Sequence, residues 1–465
     1  MSIWIVTGLH VFLAFVFSLS VIVRKRDPAV TLAWLLAFFL FPFVGVTAFA
    51  FFGYQRFRLR RRTIPQPVHR LTLAESPENT PSPEHRSIVA LATGLTGYPV
   101  THGNQVTIFS RSAETDQALI QAFREARHHI HMCYYIFEPD SEGIFFRDLL
   151  TECAGRGVEC RLLMDSVGSF SVSEDFLSPL RAAGGHAAFF NPFQTFKRPW
   201  AFHFRNHKKL SVIDGKIGFL GSQNIGHNFW RSGSRRLRWR ETDLRLEGPA
   251  VTEMQTVFAE DWQHSDGENL VGPSYFPSVP KPGKALVQVL PTGPDGQENN
   301  LALIFLEALH TAQKRVTITT PYLIPTPAMA LALKGAARRG VTVEILVPHL
   351  TDHPVVTWAA RSWFKEFIES GVIIYQHKET FVHSKVVTVD GSLALVGSAN
   401  MDTRSFLINF ELSLLLYDKT ATHHLESEFN QMVTRSVRVQ HAHLTRQPLW
   451  KNLAEGTCRM FSPLL

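Results

Sequence analysis

HKKLSVIDGKIGFLGSQNIG, residues 207–226, returns later in the chain as HSKVVTVDGSLALVGSAN, residues 383–400. His207, Lys209, Asp214, Gly221, Ser222 and Asn224 correspond one for one, at identical spacing, to His383, Lys385, Asp390, Gly397, Ser398 and Asn400. On a strand, alternation places the His and Lys of His-x-Lys on one face. The apolar residues up to Asp read as the rest of that strand and its turn. Gly, Ser and Asn follow the next strand, where a close backbone approach and small donors suit phosphate oxygens. Two such sets facing each other supply two imidazoles, two ammonium groups, two amides and two hydroxyls around one phosphate. That is enough positive charge to stabilise a phosphoryl transition state without a metal.

Upstream of each copy the chain repeats as well. Residues 113–126 show helical periodicity, 129–137 are strand-like, 146–156 helical and 158–164 strand-like. Residues 302–312, 316–322, 328–338 and 341–347 follow the same order, and GRGVECRLLMD parallels ARRGVTVEILVP. Strands alternating with helices predict an α/β fold with each sheet covered on both faces. A duplicated unit makes a pseudo-dimer, and symmetric halves commonly share a site on their axis. Gly and Pro cluster at 265–282, which sets a boundary. The predicted division is an anchor over 1–62, a linker over 63–100, and two catalytic domains over 101–270 and 271–465.

The anchor follows from charge. No charged residue occurs from Ser2 to Val23, and none from Ala29 to Tyr54. Each run is long enough for a hydrocarbon core that needs about 20 apolar residues. Met1 is followed directly by apolar residues and a second run follows at once, so a transmembrane hairpin is expected rather than a signal peptide. Pro42 and Gly45 fall in the second run and predict a kink or a shallow hairpin. Arg56, Arg58, Arg60, Arg61 and Arg62 outweigh Arg24, Lys25 and Arg26, which places the catalytic part in the cytoplasm by the positive-inside rule. The formal charge of +7 over 465 residues favours an anionic partner, nucleic acid or lipid. The four cysteines, Cys133, Cys153, Cys160 and Cys458, contain no C-x-x-C pair and read as reduced packing residues. His128, His129 and His131, like His349 and His353, lack carboxylate or Cys companions at ligand spacing, so no metal site is expected.

The doubled motif resembles the phospholipase D superfamily, and the wider text resembles bacterial cardiolipin synthases almost end to end. The matching stretches include RKRDPAVTLAWLLAFFLFPFVG, YYIFEPDSEG, RNHKKLSVIDG, WRETDLRLEGPAV, TTPYLIPTPAM, VHSKVVTVDG, GSANMDTRSFLINFEL and the terminal FSPLL. The resemblance implies two tandem α/β/α sandwich domains behind the hairpin, in the inner membrane, with no cofactor or metal. It implies conversion of two phosphatidylglycerols into cardiolipin and glycerol through a phosphohistidine. His207 is then the nucleophile and His383 the acid and base, although motif symmetry leaves that choice open. Lys209 and Lys385 complete the catalytic set, with Ser222, Asn224, Ser398 and Asn400 on phosphate. Asp214 and Asp390 belong to the motif by convention but fix its fold more than they touch substrate.

A nucleophilic imidazole needs its other nitrogen held by an acceptor. Glu241 and Glu411 stand at comparable places after the two motifs, so Glu241 is expected on His207 and Glu411 on His383, with Asp243 competing for the former. Two aromatic, basic stretches, residues 189–204 and 230–240, read as lipid-facing loops or as packed connections. A phospholipase D-type hydrolase, or phosphatidylethanolamine as co-substrate, remains compatible with the same residues. A nuclease of the superfamily is disfavoured by the apolar N-terminus, and a non-enzymatic adaptor by the completeness of both motifs.

Overall fold

The computed structural model describes residues 3–23, 28–53, 81–192, 203–227, 239–295, 300–349 and 351–462. The chain divides into two compact units, residues 1–58 with 193–204, and residues 59–192 with 205–465.

In the first unit three helices, Ile3–Val23, Pro28–Leu40 and Pro42–Phe52, pack on one another. Ala14, Val21, Phe38 and Phe49 are buried among them, with Phe38 and Phe49 edge to face at 5.4 Å. The predicted second span is broken at Phe41, because Pro42 starts a new helix where its missing N–H costs nothing. Among the described residues no helix is long and apolar enough to cross a membrane. The basic segment 56–62 and the stretches 193–202 and 228–238 lie outside the described residues.

The second unit carries both repeats on one continuous sheet of 15 strands. The first half contributes, in spatial order, Val100–Phe109, Asp243–Glu247, Ile217–Gly221, Lys209–Ile213, His129–Tyr134, Glu159–Asp165 and His186–Phe190. The second half repeats that order with Ala285–Thr292, Glu411–Leu416, Leu393–Gly397, Val386–Val389, Arg315–Thr319, Thr342–Pro348 and Ile373–His377. Ser436–Arg438 is added at its outer edge. The halves join where Val100–Phe109 and Ala285–Thr292 pair antiparallel. Each half has its own apolar core, one around Phe123, Phe146 and Leu162, the other around Phe305, Phe367 and Ile345. Cys133, Cys153 and Cys160 are buried as free thiols.

The periodic helices fall where they were expected, at Ser112–Glu125, Ser141–Gly155, Asn300–Thr311 and Pro327–Arg338. The linker expected over 63–100 needs correction. Its residues 63–80 lie outside the described residues, but Arg86–Thr96 is a helix that buries Ile88, Val89 and Ala92 in the second half's core. Pro- and Ser-rich text upstream obscured an apolar face that starts only at Ile88.

Asp214 and Asp390 occupy the tip of the hairpin in each motif, with φ of 53° and 52°, followed by Gly215 and Gly391 at 62° and 68°. Two consecutive positive φ values are what an Asp-Gly turn tolerates. The Asp214 carboxylate accepts the backbone N–H groups of Arg127, His128 and His129 at 2.9, 2.7 and 2.9 Å. Asp390 does the same for Gln313, Lys314 and Arg315 at 2.7, 2.8 and 2.8 Å. Each carboxylate thus ties its turn to the start of the neighbouring strand, at the end of the motif strand remote from the His-x-Lys pair. Their inclusion among catalytic residues is corrected on this geometry: they are structural. Asp390→Ala is expected to lower stability by about 2–4 kcal/mol, since it strands three donors and puts Ala at positive φ. Chemical unfolding checks this, and kcat of the folded fraction should be unchanged.

Candidate active site

Each histidine is zipped by its backbone to the other half. The His207 N–H donates to the Phe410 carbonyl at 2.8 Å, and the Phe410 N–H to the Arg205 carbonyl at 2.8 Å. Symmetrically, His383 and Ser384 donate to the Arg240 carbonyl at 2.8 and 3.0 Å, continuing the parallel pairing of Trp239–Arg240 with Phe381–Val382. The residues that follow Phe410 and Arg240 are Glu411 and Glu241, so each carboxylate is delivered to the histidine of the opposite half.

His207 Nδ1 lies 3.0 Å from both carboxylate oxygens of Glu411. His383 Nδ1 lies 2.9 Å from both oxygens of Glu241. This corrects the expected pairing, which joined Glu241 to His207 and Glu411 to His383 within each half. Position along the chain could identify the carboxylates but not the exchange, which depends on how two strand ends cross between halves. Asp243 is not a competitor. Its Oδ1 accepts the N–H groups of Ser222 and Gln223 at 3.0 and 3.2 Å.

The serines of the two motifs are committed to those carboxylates. Ser222 Oγ donates to Glu241 Oε2 at 2.5 Å and Ser398 Oγ to Glu411 Oε2 at 2.5 Å. Each hydroxyl also accepts a backbone N–H, from Thr242 and Leu412 respectively, at 3.0 Å. The expectation that Ser222 and Ser398 bind phosphate is therefore corrected: they hold the glutamates. Ser405 and Asn409 add donors to Glu411 Oε1 at 2.8 and 3.4 Å. Neither was singled out in the sequence, although TRSF begins three residues after the motif Asn. Asn224 Oδ1 accepts the Ile136 N–H at 3.3 Å, and Asn400 hydrogen-bonds Asp402.

The lysines are fully buried beside the histidines. Lys209 Nζ donates to the His207 carbonyl at 2.6 Å and Lys385 Nζ to the His383 carbonyl at 2.5 Å. Lys208 points the other way, to Asp261 on helix Ala250–Asp266 at 2.6 Å, which is how one of two adjacent lysines becomes structural. Aromatic rings brace both imidazoles: Tyr135 lies 4.8 Å from His207 and Trp239 lies 4.7 Å from His383, at interplanar angles of 64° and 61°.

Burial governs the charges. It brings the His207 imidazole down to about 4 against the opposing pull of Glu411, and lowers Lys209 to about 7 and Lys385 to about 8. Burial, with Lys385 and Lys209 close by, holds His383 well below the usual imidazole range. Burial would raise Glu411, but His207, Lys209 and the Ser398 hydroxyl outweigh it and bring that carboxylate to about 2. Glu241 is raised by burial. The resulting state is a neutral imidazole at His207 that donates Nδ1–H to an ionised carboxylate and keeps its Nε2 lone pair for reaction.

His129 and His131 are buried in the first half, their rings stacked at 4.4 Å, away from these pairs. Among the described residues no group of three His, Cys, Asp or Glu side chains is placed to hold a metal ion.

The family described as "Cardiolipin synthase, PLD-like domain" matches residues 119–262 and 305–433, and "Phospholipase_D-nuclease N-terminal" matches 12–53. The chain belongs to the cardiolipin synthase family of the phospholipase D superfamily. It is 34% identical over 465 residues to a cardiolipin synthase of Geobacillus thermodenitrificans, covering 98% of this chain and 92% of that protein. It is 30% identical over 460 residues to the major cardiolipin synthase of Bacillus subtilis, with 95% of each covered. The crystal structure of phosphatidylserine synthase from Haemophilus influenzae is similar in fold, with a TM-score of 0.60 at 17% identity, over 81% of this chain and 98% of that one. Family membership makes the chain a phosphatidyltransferase.

The crossed pairs have a kinetic signature. Glu411→Gln and Glu241→Gln are each expected to lower kcat by about 10²–10⁴, as when a histidine loses its orienting carboxylate. In double-mutant cycles Glu411→Gln should couple to His207→Gln and Glu241→Gln to His383→Gln. Coupling in the opposite sense would contradict the exchange.

Proposed function

We propose that this site moves a phosphatidyl group from one phosphatidylglycerol to another, giving cardiolipin and glycerol. The exchange of glutamates between halves carries the reading, because it makes two half-motifs into one two-histidine site. His207 Nε2 attacks phosphorus and the bond to the headgroup glycerol oxygen breaks. The bound phosphodiester anion offsets the desolvation that disfavours a charged His383, so His383 enters this step as an imidazolium with Nδ1–H on Glu241. Its Nε2 proton passes to that oxygen, so glycerol leaves neutral and His383 becomes neutral. His383 then takes the proton from a hydroxyl of the second phosphatidylglycerol. That oxygen attacks phosphorus, and the His207–phosphorus bond breaks.

Two features support His207 as the nucleophile. Glu411 is held by Ser398, Ser405 and Asn409, whereas Ser222 is the hydroxyl on Glu241. A firmly ionised carboxylate behind an imidazole strengthens its nucleophilicity. Burial that raises Glu241 suits the histidine that must gain and lose a proton. Lys209 and Lys385, with Asn224 and Asn400, are assigned to the phosphate oxygens, where an anion favours the charged ammonium that burial alone disfavours.

The lipid substrate accords with an anchor. We place two apolar segments, 2–23 and 29–54, as a hairpin in the bacterial inner membrane, with the catalytic halves, divided near residue 270, on the cytoplasmic face.

Purified full-length protein incubated with phosphatidylglycerol should yield cardiolipin and glycerol in equal amounts. Phosphatidic acid as the sole product would instead assign a hydrolase. The pH profile of kcat/KM should rise as His207 deprotonates through about 4 and fall as Lys209 and Lys385 lose their protons through about 7 and about 8. Activity undiminished well above pH 9 would contradict the role given to the lysines.

A further inference from the structure

Helix Leu449–Met460 is built inside out. Its charged residues face the protein. Glu455, 6% exposed, accepts from Arg361 Nε at 3.1 Å. Arg459 stacks 3.7 Å over the Trp363 ring and donates to Glu366 at 2.7 Å. Its apolar residues face outward: Leu449 is 73% exposed, Leu453 62% and Met460 79%. A surface helix of a water-soluble domain does the reverse. Two further apolar side chains, Trp450 and Phe461, are also exposed beside the stripe.

The surroundings define what can cover this stripe. From Arg435 to the end of the chain the basic residues are Arg435, Arg438, Arg446, Lys451 and Arg459, and the only acid is Glu455, which is paired with Arg361. Arg435 and Arg459 pair with Glu379 and Glu366 of neighbouring elements, so Arg438, Arg446 and Lys451 set the net positive charge of this segment. An apolar face amid positive charge is matched by an anionic lipid surface, whose headgroups take the cations and whose acyl region takes the stripe. A second copy of the chain would bring the same positive charge against itself.

The helix also stands close to the chemistry. It packs along helix Pro354–Glu369, with Trp450 and Trp358 rings 6.1 Å apart. Just before that helix, Asp352 accepts the Tyr322 hydroxyl at 2.8 Å, and its charge reaches both His383 and Lys385. Cys458 packs in the same cluster as Tyr322 and Val356.

We propose that Leu449–Met460 is an interfacial helix, lying in the surface of an anionic bilayer through Leu449, Leu453 and Met460 and setting the second half's side of the active site against its lipid substrate. This rests on the lipid-substrate reading above.

The test uses full-length protein carrying Leu453→Cys and Cys458→Ser, labelled with an environment-sensitive fluorophore and reconstituted in phosphatidylglycerol vesicles. Quenching by lipids brominated on the acyl chain, with protection from aqueous iodide, is the expected result. Iodide quenching without bromolipid quenching would overturn the proposal. So would protection from both quenchers, which would mean a protein partner. A Leu449→Ser/Leu453→Ser/Met460→Ser variant should lose about tenfold or more in turnover of bilayer phosphatidylglycerol, given the apolar area withdrawn. Its turnover of a short-chain phosphatidylglycerol dispersed below micelle formation should match the parent's. If the parent itself fails to use dispersed phosphatidylglycerol, the substrate reading is at fault, while the quenching data still judge the helix.

Discussion

The structure depends on two imidazole–carboxylate hydrogen bonds that cross between the halves, His207 to Glu411 and His383 to Glu241. Burying four such groups beside two lysines would be prohibitive if any were left unmatched. The site matches each locally: a histidine to a carboxylate, a carboxylate to a serine hydroxyl, a lysine to a main-chain carbonyl. Neither half has this arrangement alone, since each holds a histidine whose acceptor comes from the other. That is a physical reason for the duplication to persist in one chain and for the sheet to run unbroken through Val100–Phe109 and Ala285–Thr292.

The same pairing prepares the chemistry. Desolvation makes the histidines neutral and the lysines weakly held acids. A phosphodiester anion among them then favours the charged forms that burial alone disfavours. The two halves are not electrostatically equal, because Ser405 and Asn409 reinforce Glu411. A small departure from symmetry of this kind is enough to give two similar histidines different tasks.

Much of this was legible in the sequence. Period-2 and period-3.6 patterns located the strands and helices of both halves, since the apolar faces there are regular. The His and Lys of the site were identifiable because the motif recurs at fixed spacing, and the Glu because one follows each motif at a comparable though unequal distance. Who pairs with whom was not legible: a one-residue step from Phe410 to Glu411, or Arg240 to Glu241, carries the carboxylate across the seam, and no local pattern encodes it. The serines were misread for a related reason. A hydroxyl near a phosphate-binding motif looks like a ligand until the buried carboxylate that claims it is in view. Helix Arg86–Thr96 was hidden by the Pro-rich text before it.

The most direct measurement is an experimental structure of the full-length protein with orthovanadate, which mimics a phosphoryl group in transfer. One vanadium bonded to His207 Nε2, with His383 Nε2 on the opposite side and the crossed glutamates in place, is the expected result. Vanadate bound at two separate positions, or imidazoles turned to different cavities, would contradict a single site shared by the halves.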